Sequence, residues 1–430
     1  MKKRLTALLL VLALLSALAV GTVADEQAKE SAAEETAQTA PDAAGTLRFE
    51  NLAARMRAGS YSLLVLEENI ALIESTDYEK IEEELRDGLN EIANAQWNMS
   101  MLGSAGGMVQ DSDAGYAINM VGAAVGTLAN QSLQQQYDAL REQFDNVRDG
   151  KLQEDNADLV RQLRATEDSA VMLGETLYIT LLGLEEQSAA LARQDAALGR
   201  TVEELELRYQ LGQISAMTLQ QTRSGREQLQ SGKATLDRNI ASLRCQLNAM
   251  TGEDLTAPLT LGALPTVTAE QLAAMDVEKD LERAKNASYD LYAAKLTLDD
   301  ADEEFEDSGA KYNYSETDYK KVQAKHTWQA AQYTYNAAVQ NFELSFRSLY
   351  DSVKDCAQIL TAAQTALECE RADLAAAQLK YEQGTISANA LHTAEDDLYT
   401  AQDTVSGAER DLFTAYNNYR WAVDHGLLNG

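Results

Sequence analysis

The stretch "LRYQLGQISAMTL" (Leu207–Leu219) is nearly repeated 172 residues later as "LKYEQGTISANAL" (Leu379–Leu391). Both copies contain the pattern Tyr-x-x-Gly-x-Ile-Ser-Ala. Glycine suits the left-handed residue that follows a helix, and serine three positions later suits the N-cap of the next helix. We therefore predict that each copy is a tight turn between two helices.

The residues of these turns divide into two roles. Glycine and serine shape the backbone, and the isoleucine before the serine packs against the leucine four residues after it, which fixes the entry angle of the next helix. The tyrosine and its exposed neighbours are left to contact a partner. The predicted turn and docking residues are Tyr209, Gly212, Ile214, Ser215, Tyr381, Gly384, Ile386 and Ser387.

Apolar residues recur every seven positions on both sides of each turn. Such a heptad, sustained over four or five repeats, is typical of coiled-coil packing, and alanine at one position indicates close helix approach. We predict an all-α fold of long antiparallel coiled-coil hairpins, with an ordinary helical bundle as the alternative. The series are Leu177, Leu184, Leu191, Leu198 and Leu205; Leu229, Leu236, Leu243 and Met250; Val353, Leu360, Leu367, Leu374 and Tyr381; Leu391, Leu398, Val405, Leu412 and Tyr419; and Ala394, Ala401, Ala408, Ala415 and Ala422.

The two hairpins belong to larger units. We assign residues 47–251 to a first repeat, 252–268 to a linker that holds Pro258 and Pro265, and 269–430 to a second repeat. Each repeat would open with a helix, over 47–95 and 277–307, and the helix that enters the first turn would run from about Thr166 to Gln210.

The N-terminus has the features of an export signal. A basic start is followed by an apolar run and by small residues before Asp25, which predicts a signal peptide over 1–24, cleaved after Ala24. An uncleaved membrane anchor is the alternative. Residues 25–46 are acidic and Ala-rich, as in a disordered linker. We expect an extracytoplasmic protein of the cell envelope.

The composition does not favour catalysis, cofactors or nucleic acid. The formal charge of the 430-residue chain is −32, whereas binding to phosphates needs clustered Lys and Arg. The three His are scattered, and no phosphate-binding loop or nucleophile elbow is present. We expect no enzyme activity, metal or cofactor, and we interpret Cys245, Cys356 and Cys369 as small core residues.

The duplicated turns, the heptads that follow them and the linker near Pro265 resemble the TolC family of outer-membrane efflux proteins. The resemblance covers most of residues 47–430. It implies a homotrimer whose helices form a hollow barrel, with the turns at the entrance docking an adaptor protein of the membrane-fusion type. It also implies a β-barrel in the outer membrane, built from strands in two inserts.

Those inserts do not show the expected strands. Residues 101–131 are rich in Gly and Ala without alternation, and residues 306–327 alternate only at Tyr312 and Tyr314. We expect little or no β-barrel, so the sequence does not predict whether the protein contacts a membrane. The apolar run of the first insert, which holds Gly122-x-x-x-Gly126, is too short to span a bilayer and is interpreted as a packed helix.

These features predict a TolC-like exported component of an efflux or export assembly. It would act as a passive helical conduit that docks an adaptor through its turns. The alternative is an extracytoplasmic coiled-coil scaffold without transport activity. Asp396 and Asp397, which follow the second turn, could form an acidic ring in a tubular lumen, although a solvated helix face is the simpler explanation for them.

Overall fold

Long helices make up almost all of the described chain. The computed structural model describes residues 42–43, 45–105, 113–311 and 318–428, and side chains within these ranges except in 100–129 and 310–311. The predicted signal peptide and most of the predicted linker 25–46 lie outside the described residues. In the described part of both inserts the chain is helical, which agrees with the absence of alternating strands there.

The segment predicted as the first repeat (47–251) contains two short described helices followed by four long ones. Ser215 caps the start of the last long helix, and Gly150, with φ of 82°, lies between the second and third long helices. The helices are α1 (Phe49–Gly59), α2 (Tyr61–Glu74), α3 (Tyr78–Ala105), α4 (Asp113–Arg148), α5 (Lys151–Gln210) and α6 (Ala216–Thr251).

The segment predicted as the second repeat (269–430) contains five described helices, of which the last two are the longest. Thr268 and Asp276 cap its first two helices through their side-chain oxygens. The helices are α7 (Ala269–Ala274), α8 (Val277–Ala287), α9 (Tyr289–Lys311), α10 (Tyr319–Glu382) and α11 (Ala388–His425). None of the described helices combines the length and the apolar character needed to cross a membrane.

Helices α5 and α10 are the longest, with 60 and 64 residues, or about 90–95 Å at helical rise. Each packs against the helix after its turn, and α5 also packs against α11, which joins the two hairpins. The prediction that α5 begins near Thr166 was wrong. The helix starts at Lys151 because its first turns pack against other helices of the fold, and buried Asn156 donates a hydrogen bond to Tyr78 Oη at 2.9 Å.

The heptad residues line the hairpin seams as predicted. Val353, Val405, Leu412 and Ala422 are buried, and most of the remaining members of the series are partly buried. The prediction for the cysteines was wrong at one position. Cys369 is exposed, whereas Cys245 and Cys356 are partly buried, because Cys369 falls outside the α10 face that packs on α11.

A two-stranded parallel sheet ties the start of the fold to the linker. Strand β1 (Thr46–Leu47) pairs with β2 (Thr260–Leu261), and the Tyr178 hydroxyl of α5 shares its one proton between the carbonyls of Leu47 and Gly262. Asp42 accepts hydrogen bonds from Arg48 and Asn51. The last residues of the segment 25–46 are therefore held in place by specific contacts and do not behave as a free linker.

The helices predicted over 47–95 and 277–307 are both broken at a serine. That prediction was wrong, since Ser60 and Ser288 interrupt the two helices with nearly equal backbone angles (φ/ψ −71°/116° and −70°/116°). The first helix is interrupted a second time, between Glu74 and Tyr78. Each serine break receives a glycine with positive φ from the end of the last helix in that repeat, Gly252 or Gly426. A Cβ on Gly252 would lie 2.2 Å from the carbonyl oxygen of Gly59. This close approach of two backbones is the reason for the breaks at the serines.

The repeats fill the adjacent core in opposite ways. Met56 lies four residues before Ser60 and contacts Gly174, where a Cβ would come within 2.3 Å of the methionine sulfur. The corresponding residues of the second repeat are Ala284 and Phe346, both buried in one cluster. In the first repeat the short helix carries the large residue and the long helix the small one. In the second repeat the short helix carries the small residue and the long helix the large one.

Candidate functional site: the two hairpin tips

The first turn has the geometry of a Schellman-type helix end. Gly212 has φ of 71°, and its N–H donates to the carbonyl of Tyr209 at 2.9 Å. The N–H of Gln213 donates to the carbonyl of Arg208 at 2.9 Å. These bonds satisfy carbonyl groups that a helix end leaves without partners, so the chain can reverse direction in solvent.

The second turn repeats this geometry. Gly384 also has φ of 71°, its N–H donates to Tyr381 at 2.9 Å, and Thr385 N–H donates to Lys380 at 2.9 Å. A Cβ at either glycine would meet no atom within 4 Å. Glycine is therefore required at both turns by the left-handed conformation alone, without any steric restriction.

Serine begins the next helix in both copies. Ser215 Oγ accepts a hydrogen bond from Thr218 N–H, and Ser387 Oγ accepts one from Ala390 N–H, both at 3.2 Å. Ile214 is half-buried at the first turn, and Leu219 is 6% exposed. Ile386 and Leu391 are both half-buried at the second turn. Each turn, which we call a hairpin tip (207–219 and 379–391), thus has a fixed shape of its own.

The tips expose large apolar side chains that the fold does not use. Tyr209 is 46% exposed and Tyr381 44%, as expected for residues that could contact a partner. The sequence analysis missed four others. Alignment of the two tips would have drawn attention to two of them, since Gln383 and Asn389 occupy the places of Leu211 and Met217. The exposed residues missed are Leu207, Leu211, Met217 and Leu379.

A ladder of polar contacts joins the two hairpins below the tips. The three ion pairs are seven residues apart on both α5 and α11, so they repeat along one face of each helix. Asn389 donates to Glu204 nearest the tips. The ion pairs are Glu186–Arg410, Arg193–Asp403 and Arg200–Asp396. This seam sets the register between the two repeats, and the sequence analysis did not identify it.

The ladder changes the interpretation of the two aspartates. Asp396 pairs with Arg200 at 2.6 Å, so its charge is largely offset within the chain, while Asp397 is exposed. Only Asp397 is left as a free contributor to a predicted acidic ring. Near the other end of the ladder, burial raises the pKa of Glu186 by more than the positive charge of Arg410 lowers it.

A second polar seam lies within the first hairpin. Arg226 of α6 donates to Asp195 of α5 at 2.9 Å, and Gln230 donates to the same carboxylate. The hydrogen bond from Arg226 lowers the pKa of Asp195. Among the described residues, no group of three or more His, Cys, Asp or Glu side chains is placed to hold a metal ion.

Comparison with known proteins finds relatives in structure and none in sequence. No protein-family model and no curated protein matches the chain. The outer-membrane channel OprN matches with a TM-score of 0.51 at 13% identity, over 88% of this chain and 90% of that one. CusC matches with 0.48 at 14% identity, over 88% and 96%. The outer membrane protein VceC of Vibrio cholerae matches with 0.41 at 15% identity, over 64% and 75%.

The match to OprN, which covers nearly all of both chains, defines the class of fold. The chain has the fold of an outer-membrane channel built of long helical hairpins. The resemblance to TolC-like channels that the tips and heptads indicated is confirmed at the level of the fold.

Proposed function

We propose that the chain is a TolC-like component of an export or efflux assembly in the cell envelope. It acts as a passive helical conduit, without catalysis, and its two hairpin tips dock an adaptor protein of the membrane-fusion type. One observation carries this proposal. Two tips of the same backbone geometry stand at the ends of long hairpins and expose apolar side chains with no packing role.

The preformed shape of the tips favours recognition. Helix-end hydrogen bonds and serine caps hold each tip before any partner arrives, so docking costs little backbone entropy. Leu211 and Met217 are 64% and 70% exposed. Exposed large apolar groups that cluster at one place are typical of a protein–protein contact.

We further propose that three copies close into a tube. Within one chain, α5 lies between α6 and α11, and α11 lies between α5 and α10, which leaves α6 and α10 at the two edges. Edge helix α10 exposes Leu344 (71%) and Ile359 (58%). Packing of one copy's α10 on the next copy's α6 would cover these side chains and continue the alternation of helices around a ring.

Photo-crosslinking in the producing cell tests tip docking. A benzophenone amino acid at Met217 is expected to form adducts with an adaptor protein, identified by mass spectrometry. The matched control is the same substitution at Gln228, an exposed position on the same helix away from the tip. Adducts only with copies of the chain, or equal adaptor adducts from both positions, would contradict docking at the tips.

Light scattering on a sizing column tests the assembly. The purified chain is expected to elute with the mass of a trimer. A monomer at all concentrations would show that each chain covers its own apolar faces, and the scaffold without transport activity would then be the better description.

A further inference from the structure

A cavity of about 390 Å³ lies where the two repeats and their linker meet. Helix α1, helix α5, the linker residues around Pro265 and helix α11 all contribute to its wall. The volume is in the range of small-molecule sites. The wall includes Phe49, Glu175, Phe413, Tyr416, Trp421 and His425. It lies apart from the tips and from the ladder between the hairpins.

A buried carboxylate without a cation is the central feature of this cavity. Glu175 is only 7% exposed, and its Oε2 accepts hydrogen bonds from Asn417 Nδ2 and Trp421 Nε1, both at 2.7 Å. Both donors are neutral. Among the described residues, no Lys, Arg or His lies within ion-pair distance of Glu175, and none donates a hydrogen bond to Oε1. Buried acidic side chains are rare unless they are paired with a cation.

The other charged groups of the wall do not supply that cation. Glu50 and Asp424 add two more acidic groups, and Arg420 is the only Lys or Arg of the described wall. The Arg420 side chain is 61% exposed and lies 3.8 Å from Asp424, which also pairs with Arg283 at 3.2 Å. His425 directs its Nδ1 to Asp168 at 2.8 Å. Arg283 and Arg420 offset the charge of Asp424, so neither cation of this pair neutralises Glu175.

Aromatic rings form the rest of the binding surface. Phe49 and Phe413 pack edge to face with centroids 4.8 Å apart, so their positions are fixed. Tyr416 and Trp421 lie on the same helix and also line the cavity. Ring faces attract ammonium groups most strongly where water is excluded.

We propose that this cavity binds a small organic cation, with its ammonium group beside Glu175 and its apolar part against the aromatic rings. The bound cation supplies the positive charge that no described residue provides beside Glu175. It contacts α5 of the first repeat and α11 of the second together, so it stabilises the junction of the repeats. The proposal does not depend on the export function.

Isothermal titration calorimetry with two matched probes tests the proposal on the full chain. The probes are 2-phenylethylamine, which is charged at pH 7, and 2-phenylethanol, which has the same ring and chain without the charge. The amine is expected to bind at least about tenfold more tightly than the alcohol, as an ammonium beside a carboxylate and ring faces should. Equal binding of both probes, or no heat from the amine up to millimolar concentration, would overturn the proposal.

Two variants separate the role of Glu175 from a general effect of acidic charge. Glu175→Gln keeps an oxygen acceptor for Asn417 and Trp421 and is expected to weaken amine binding about tenfold, with little change for the alcohol. Glu185→Gln, on the same helix, removes an acid that pairs with Arg244 and should leave binding unchanged. Unchanged amine binding in Glu175→Gln, or an equal loss in both variants, contradicts the assignment. If Glu175→Gln does not fold, the comparison of the two probes on the unmodified chain still tests whether the cavity prefers a cation.

Discussion

The glycines that end the two repeats provide a sharp test of the fold. Gly252 has φ of 73°, and Gly212 at the first tip has φ of 71°. Alanine at either position adopts an unfavourable left-handed conformation, which costs about 1–2 kcal/mol. The surroundings differ, because a Cβ at Gly212 meets no atom within 4 Å, whereas a Cβ at Gly252 lies 2.2 Å from the Gly59 carbonyl oxygen.

The steric contact should therefore add to the conformational cost at Gly252 only. Forced displacement in a packed region costs about 1–3 kcal/mol. We expect Gly212→Ala to lower the free energy of unfolding by about 1–2 kcal/mol and Gly252→Ala by about 2–5 kcal/mol. Gly426→Ala should behave like Gly252→Ala, because its Cβ would lie 2.3 Å from the backbone of Ser288.

Urea unfolding followed by far-UV circular dichroism measures these differences. It should be performed at several protein concentrations, so that any change in association is separated from the change in folding stability. Equal losses in Gly212→Ala and Gly252→Ala would show that the contact with the helix break carries no stability. The close approach of the two backbones would then not be the cause of the breaks at Ser60 and Ser288.

Three further predictions concern polar contacts of the fold. A double-mutant cycle on Arg200→Ala and Asp396→Ala should give a coupling energy of about 0.2–1 kcal/mol that falls with salt, since both side chains are 38% exposed; zero coupling at low salt would contradict the ladder. Tyr178→Phe should lower the free energy of unfolding by about 1–3 kcal/mol through the loss of its hydrogen bonds. Burial raises the pKa of Tyr178, so its contribution is present below pH 10 and lost as pH rises further, which unfolding measurements at alkaline pH can check against Tyr178→Phe. Burial opposes the charge of Asp42, but hydrogen bonds from Arg48 and other donors lower its pKa overall. Its contribution to the free energy of unfolding should be present above pH 3.8 and lost as the pH falls further. Unfolding measurements at acidic pH should show that Asp42→Asn removes this dependence.

The sequence predicted the hairpins well because their determinants are local. Gly212 and Ser215 set the first tip within a few residues, and the heptads fix which faces meet. No long-range information is needed for either. The ladder between α5 and α11 was missed because it depends on which helix lies beside which, and charged residues are frequent on every helix of an acidic chain.

The breaks at Ser60 and Ser288 were missed for a related reason. The first helices have no proline at these points, and their apolar spacing continues across them. What interrupts each helix is the backbone of a glycine far away in sequence. The cavity beside Glu175 was missed in the same way, since its wall is drawn from four separate parts of the chain.

The reversed sizes of the core pairs have a consequence for how identical chains sort themselves. Met56 fits only because Gly174 leaves room for it, and Phe346 stands beside a short helix that carries Ala284. If a short helix docked on the long helix of the other repeat, Met56 would meet Phe346, and Ala284 would leave a hole against Gly174. Overcrowding and an empty space both cost stability. Where several copies fold close together, each has two similar halves that could pair incorrectly. The mismatch in size disfavours such pairings, so each short helix packs on the long helix of its own repeat.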